Sequence, residues 1–344
     1  MMRVVQYRGA HVETIHPVRA VAVRIDGETA RVLWAGGAAV RSPWRSAGKP
    51  FQLLASIEAM EAARHSENTA FTARSLSDID LAVGASSHSG QAAHIEVVES
   101  LLARFGRGVG DLRCGAEPPA HAPSFHALIR AGRKPSAIHN DCSGKHAMML
   151  GACTARGWDL DYRAEMHPLQ QTVRETVLRL TGEVPGAAID GCGIPVWVLS
   201  VAGMARAWAH LAAAMADPDR DPLLARIGNA MAEHPWHVSG TDRIDLRIAE
   251  SAREPYVGKI GAQGIFCIAL PRRGLGLALK VASGDDAAVA VAARHLIGHA
   301  APGALSPDPG CPWHTVRNVA GDAVGHRTCE FDPNTRVVVA RTRA

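Results

Sequence analysis

The sequence predicts an α+β fold. Two observations carry this: apolar segments split by tight turns lie toward both ends of the chain, and a long middle stretch repeats helical hydrophobic periods. A third narrows the chemistry. Neither Gly-x-Gly-x-x-Gly nor a Lys-bearing phosphate loop is present, which argues against nucleotide binding.

Taken in order, residues 21–25 and 30–34 flank Asp26-Gly27 and read as a β-hairpin. From Ser46, residues Leu53, Leu54, Ile57 and Met60 give a helical period, with Pro50 tolerable in the first turn. Residues 80–85 read as a short buried strand or extended segment leading into Ser86-Ser87-His88-Ser89-Gly90. Ile95, Val98, Leu101 and Leu102 mark a further helix. More helices are predicted at 144–156, 167–181, 196–214, 222–232 and 242–252. Residues 264–270 and 275–282 form a second hairpin about Pro271–Gly274. A helix at 285–298 and a strand at 336–341 close the chain. The expected arrangement is one domain over 1–344, its antiparallel sheet drawn from about 1–40 and 255–344 around a helical region at about 45–252.

Composition bounds the function. The 344 residues carry 37 Lys+Arg against 33 Asp+Glu, a net charge of +4 without a basic stripe. The Trp residues do not alternate with basic ones, so nucleic-acid recognition is not expected. With 47% hydrophobic residues the chain can bury a full core. Seven Cys without a CxxC pair fit reduced thiols. Arg3, Arg8, Glu13 and Arg19 interrupt any leader-like core, and no run reaches 18 apolar residues. A cytoplasmic protein with no membrane partner is the expectation.

Four constellations could carry chemistry. Ser46 and Lys49 stand one helical turn apart, the spacing at which a desolvated amine can take a hydroxyl proton; a Ser cap with a solvated Lys gives the same pattern. Ser87-His88-Ser89-Gly90 could relay a proton or hold a substrate, and equally could cap a helix. Lys259, followed by Gly261, could present charge and backbone donors to a bound acyl group. Finally, Cys142, His146, Asp190 and Cys192 gather soft-metal ligand types. By residue chemistry alone, Cys142, His146 and Cys192 are the natural zinc set; inert buried thiols are the alternative.

The runs Arg41–Gln52, Ala85–Gly90, Asn140–Ala147, Asp190–Pro195 and Gly258–Ala262 together resemble, in order, the motifs of the rhizobial-type (class 3) L-asparaginases. The resemblance implies a fold like serine β-lactamases and glutaminases, a homodimer, and hydrolysis of L-asparagine to aspartate and ammonia. It implies two Ser-Lys pairs, Ser46 with Lys49 and Ser87 with Lys259. Ser86 is the alternative second serine, and which serine is acylated stays open. It further implies an accessory zinc held by Cys142, Lys145 and Cys192 rather than His146, with Arg45, His88, Ser89, Asp190 and Gly261 around the substrate. A penicillin-recognising hydrolase would share the Ser-Lys residues without needing the two cysteines. A non-catalytic zinc or amino-acid-binding protein would use those cysteines structurally.

Overall fold

Strand residues from both ends of the chain meet in one sheet: Met2–Arg8 pairs antiparallel with Ala323–Phe331 on one side and with His11–Asp26 on the other. The computed structural model describes residues 2–27, 29–63, 73–307 and 311–331. The chain divides into two units. One comprises Met1–Ala47, Leu199–Ala216 and Arg247–Ala344; the other comprises Gly48–Val198 and Asp217–Leu246.

The first unit is built on an eight-stranded sheet, and its paired strands run antiparallel. The order is Thr315–Arg317, Ala323–Phe331, Met2–Arg8, His11–Asp26, Leu275–Val281, Ile265–Leu270, Val257–Gly261, with Thr29–Gly36 also on His11–Asp26. The 16 residues of His11–Asp26 let one strand pair first with Met2–Arg8 and then with Thr29–Gly36, while residues 18–24 also carry Leu275–Val281. Two helices cover the sheet. A Cβ on Gly276 would lie 2.0 Å from Ala209 N, so the helix Val201–Ala216 rests on backbone there. Leu275, one residue earlier, lines a small apolar cavity with Leu296 of the helix Asp286–Ala300. Adjacent strand residues face opposite sides, so the helices occupy opposite faces. That explains why Ile265–Leu270 is apolar at every position and buried throughout.

The second unit is mainly helical. Lys49–Ala62, Ala92–Arg104, Ser143–Arg156, Pro168–Thr181 and Pro222–Glu233 surround a common core, with a small antiparallel pairing of Gly186–Ile189 against residues 195–198. Residues 143–153 of Ser143–Arg156 are buried without a break. Small residues make this possible. A Cβ on Gly144 would stand 2.3 Å from Val83 O, so this helix start lies directly against the chain leading to Ser86.

Both expected hairpins are present, at Asp26↔Thr29 and Leu270↔Leu275. Two elements differ from expectation. Residues 80–85 are not a strand: Asp78–Gly84 is a helix, started by a reciprocal cap in which Ser77 Oγ accepts Asp80 N–H and the Asp80 carboxylate accepts Ser77 N–H. Seven residues are too few to display a helical period. Likewise 196–214 opens as the strand Pro195–Ser200, and only at Ser200, whose Oγ accepts Gly203 N–H at 2.9 Å, does the helix begin. The predicted strand 336–341 lies outside the described residues. Among the described residues no helix is long and apolar enough to cross a membrane.

Candidate active site

Ser46 sits in a short 3-10 turn, Arg45–Gly48, that runs straight into the helix Lys49–Ala62. The residue before it, Arg45, has φ +49°, a left-handed conformation that a non-glycine residue holds only at a cost. The first unit supplies the restraint. Ala47 N–H donates to Trp44 O at 3.2 Å, and the fully buried Trp208 donates its indole N–H to Ala47 O at 3.2 Å. Ser46 itself remains half-buried.

Gly261 ends the strand Val257–Gly261 against this same turn, where a Cβ would meet Trp44 O at 2.7 Å and Ala47 N at 3.3 Å. Residues two apart share a face of a strand, so Lys259 lies on the side that Gly261 turns toward Trp44–Ala47. Lys259 is fully buried, and its Nζ donates to Ile260 O at 3.1 Å.

In the second unit, Lys49 is buried with Nζ on three oxygens: Ser86 O at 2.7 Å, Ser87 Oγ at 2.8 Å and Asp141 O at 3.3 Å. The amine therefore stands within proton-sharing distance of Ser87, the serine that the resemblance pairs with Lys259. The Ser87–Ser89 segment is tied on two sides. Ser87 N–H donates to Val238 O, His88 N–H to Asp141 O, and Ser89 Oγ to Ser239 O at 2.6 Å. Gly240, at φ +107°, leaves no room for a side chain, because its Cβ would fall 2.1 Å from Ser89 Oγ.

His88 and Ser89 were expected to contact substrate, and here both are turned into the protein. His88 Nδ1 accepts Gly90 N–H at 3.1 Å, which fixes the other tautomeric proton on Nε2, 2.8 Å from Ser143 Oγ. That hydroxyl in turn donates to Ile138 O. Burial, reinforced by the neighbouring His94, pushes the His88 pKa down to about 3, so the ring is a neutral strut. His88 and Ser89 support Ser87 from behind.

The soft-ligand residues do come together. Lys145 Nζ lies 3.0 Å from Cys192 Sγ, and the Cys142 and Cys192 side chains share a hydrogen bond. That bond keeps the Cys142 thiol protonated well above its ordinary range, with burial adding to it, and holds Cys192 far below. Burial works against a charged Lys145, yet the two sulfurs and the Asp190 carboxylate outweigh it and raise its pKa. Asp190 is half-buried and shapes its own turn, accepting Gly191 N–H at 2.8 Å.

His146 lies beside Cys192 and shares a hydrogen bond with it, while its Nδ1 stands 2.7 Å from Tyr162 Oη. Among the described residues no three His, Cys, Asp or Glu side chains gather as a ligand set. A metal here would need a lysine amine or the His146 imidazole beside the two sulfurs. Thiols and an imidazole are donor types that a soft divalent ion such as zinc takes.

The sequence pattern of L-asparaginase II proteins matches residues 4–328. The chain belongs to the L-asparaginase II family. No curated protein sequence matches it. Among solved structures, a β-lactamase (Mb2281c) from Mycobacterium bovis is 14% identical at a TM-score of 0.45, covering 82% of this chain and 94% of that one. Native Mglu in 4.3 M NaCl is 16% identical at 0.36, over 85% of this chain and 62% of its own length, so this L-asparaginase II chain spans about three fifths of Mglu. The simvastatin synthase LovD from Aspergillus terreus is 13% identical at 0.34, over 79% and 90%.

Two contributions to the site of this L-asparaginase II family member were not legible in the sequence. Asp141 acts through its backbone carbonyl, which no side-chain pattern announces. Tyr162 orients His146 across 16 residues, a relation only folding creates.

Proposed function

We propose that this member of the L-asparaginase II family is an L-asparaginase of the rhizobial (class 3) kind, an amidohydrolase releasing aspartate and ammonia from L-asparagine. The observation that carries the proposal is Lys49 Nζ on Ser87 Oγ, three residues along the chain from a half-buried Ser46 on a strained turn. A buried lysine-serine hydrogen bond is the unit from which a proton relay is made.

In this reading Ser46 Oγ attacks the side-chain amide carbon, and its proton passes to a lysine amine, Lys49 or Lys259. Backbone N–H groups of the Trp44–Ala47 turn stabilise the oxyanion, typically the largest electrostatic contribution to such a reaction. The C–N bond then breaks, and ammonia leaves with a proton relayed through Ser87. Water attacks the resulting ester, giving aspartate and restoring the Ser46 hydroxyl. Arg45, Asp190 and Gly261 border the substrate. Cys142, Lys145 and Cys192 would hold zinc, after Lys145 loses its proton, and the ion would supply positive charge for a substrate carboxylate. A cytoplasmic homodimer belongs to the same reading.

The deciding experiment is ammonia release from L-asparagine and L-glutamine, with and without zinc, by wild type and Ser46→Ala. The expected result is hydrolysis of L-asparagine by wild type and a loss of at least about 1,000-fold in the variant. Near-full activity in Ser46→Ala would remove Ser46 as nucleophile.

A further inference from the structure

One charged group at this site has no role in the mechanism above. Residues 115–120 form an irregular loop pinned at both ends to segments that carry the chemistry. At its start, Asn140 Nδ2 donates to Cys114 O at 3.1 Å. At its end, His121 N–H donates to Ser89 O at 3.0 Å, and the Pro119 Cα lies 3.0 Å from where a Gly90 Cβ would stand. The loop therefore runs from the Asn140–Cys142 turn to the Ser87–Gly90 segment, with Glu117 at its middle.

Glu117 is exposed, and its carboxylate accepts the backbone N–H of Asp141, the residue whose carbonyl receives Lys49 Nζ. One hydrogen bond thus orients the carboxylate beside the Lys49–Ser87 pair and within electrostatic range of Cys192. The cation within its electrostatic range is Lys49, whose amine is held on three other oxygens. Partial burial and the neighbouring Asp141 carboxylate raise its pKa against the opposing pull of the Asp141 hydrogen bond and the Lys49 charge.

We infer that Glu117 is a specificity-determining residue that takes the α-ammonium group of the amino-acid amide substrate. This rests on the amidase reading for the identity of the substrate. The chemistry follows from charge. An amino-acid amide brings one ammonium and one carboxylate to the site, while the buried amines Lys49 and Lys145 already face acceptors of their own. A charge-assisted ammonium–carboxylate bond is among the stronger polar contacts available to a small ligand. Loss of that charge should lower affinity tenfold or more for ligands carrying the ammonium, and leave the others alone.

Calorimetric binding of L-aspartate and of succinate, which differ only in the α-ammonium, tests this on wild type and Glu117→Gln. The amide oxygen of Gln keeps an acceptor for Asp141 N–H, so the loop anchor is retained. The expected result is tighter binding of aspartate than succinate by wild type. In the variant, at least a tenfold weaker aspartate affinity should come with succinate affinity within about twofold. A parallel loss for both ligands, no change for either, or no wild-type preference would each overturn the assignment. Ammonia release measured alongside separates the two readings. Wild type that binds aspartate in a Glu117-dependent way but hydrolyses no amide would retain Glu117 and sink the amidase.

Discussion

Lys49 Nζ stands 2.8 Å from Ser87 Oγ, with Ser86 O and Asp141 O completing its set of acceptors. Thirty-eight residues separate the two side chains in sequence, and both are buried. A helix start supplies the amine and a helix-to-loop junction supplies the hydroxyl.

Lys49→Met keeps length and packing but removes the amine. It leaves two buried carbonyls without that donor, and an unsatisfied buried polar group costs about 1–3 kcal/mol. We expect a stability loss of about 2–4 kcal/mol by denaturant unfolding, and a fall in kcat of at least about 100-fold, the usual scale for losing a proton-transfer group. A kcat within a few-fold of wild type in a folded variant would exclude Lys49 from the reaction.

Gly261→Ala tests the contact between its strand and the Ser46 turn. The added methyl would stand 2.7 Å from Trp44 O, so the turn must shift. On the proposed mechanism, displacing Ser46 by a fraction of an ångström to 1 Å should lower kcat about 10- to 100-fold, with a smaller effect on KM. Gly298→Ala is the matched control. It lies in a helix with nothing within 4 Å of its Cβ, and should leave kcat unchanged and stability equal or slightly higher. Equal kcat in both variants would show that the Ser46 turn tolerates movement.

Acid should destabilise the fold through its histidine stack. His94, fully buried, stacks between His88 at 5.2 Å and Trp236 at 4.2 Å between ring centroids. Burial pushes the His94 pKa to about 4 and, with help from His94, that of His88 to about 3, against about 6.5 in the unfolded chain. Between pH 6.5 and 4 the unfolded chain therefore binds protons that the folded chain does not. Stability falls as pH drops through that window, by on the order of 3 kcal/mol from His94 alone. His94→Phe keeps a stacking ring and removes the titration, so its unfolding free energy should vary less steeply over the same range. An unchanged slope would mean that another group governs the acid loss.

Zinc should be separable from folding. Metal analysis is expected to find about one zinc per chain, and Cys192→Ser should lose most of it. Chelation should leave thermal unfolding nearly unchanged while raising KM for L-asparagine. Unfolding on chelation would instead mark the cysteines as a structural metal site.

The chain's own order of residues was enough to identify the hairpins at Asp26-Gly27 and Pro271–Gly274 and the long helices, and to single out as candidates the stretches holding Ser46, Ser87, Cys142, Cys192 and Lys259. Turn chemistry and hydrophobic period are local, so they are written in neighbouring residues. Asp78–Gly84 escaped that reading because two turns of helix, started by a cap, show no period. Which lysine stands on which serine was decided by tertiary structure. So were the inward turn of His88 and Ser89, and the loop that brings Glu117 to Asp141. Those relations depend on hydrogen bonds between segments far apart in sequence, several made by backbone carbonyls and N–H groups that every residue type carries alike.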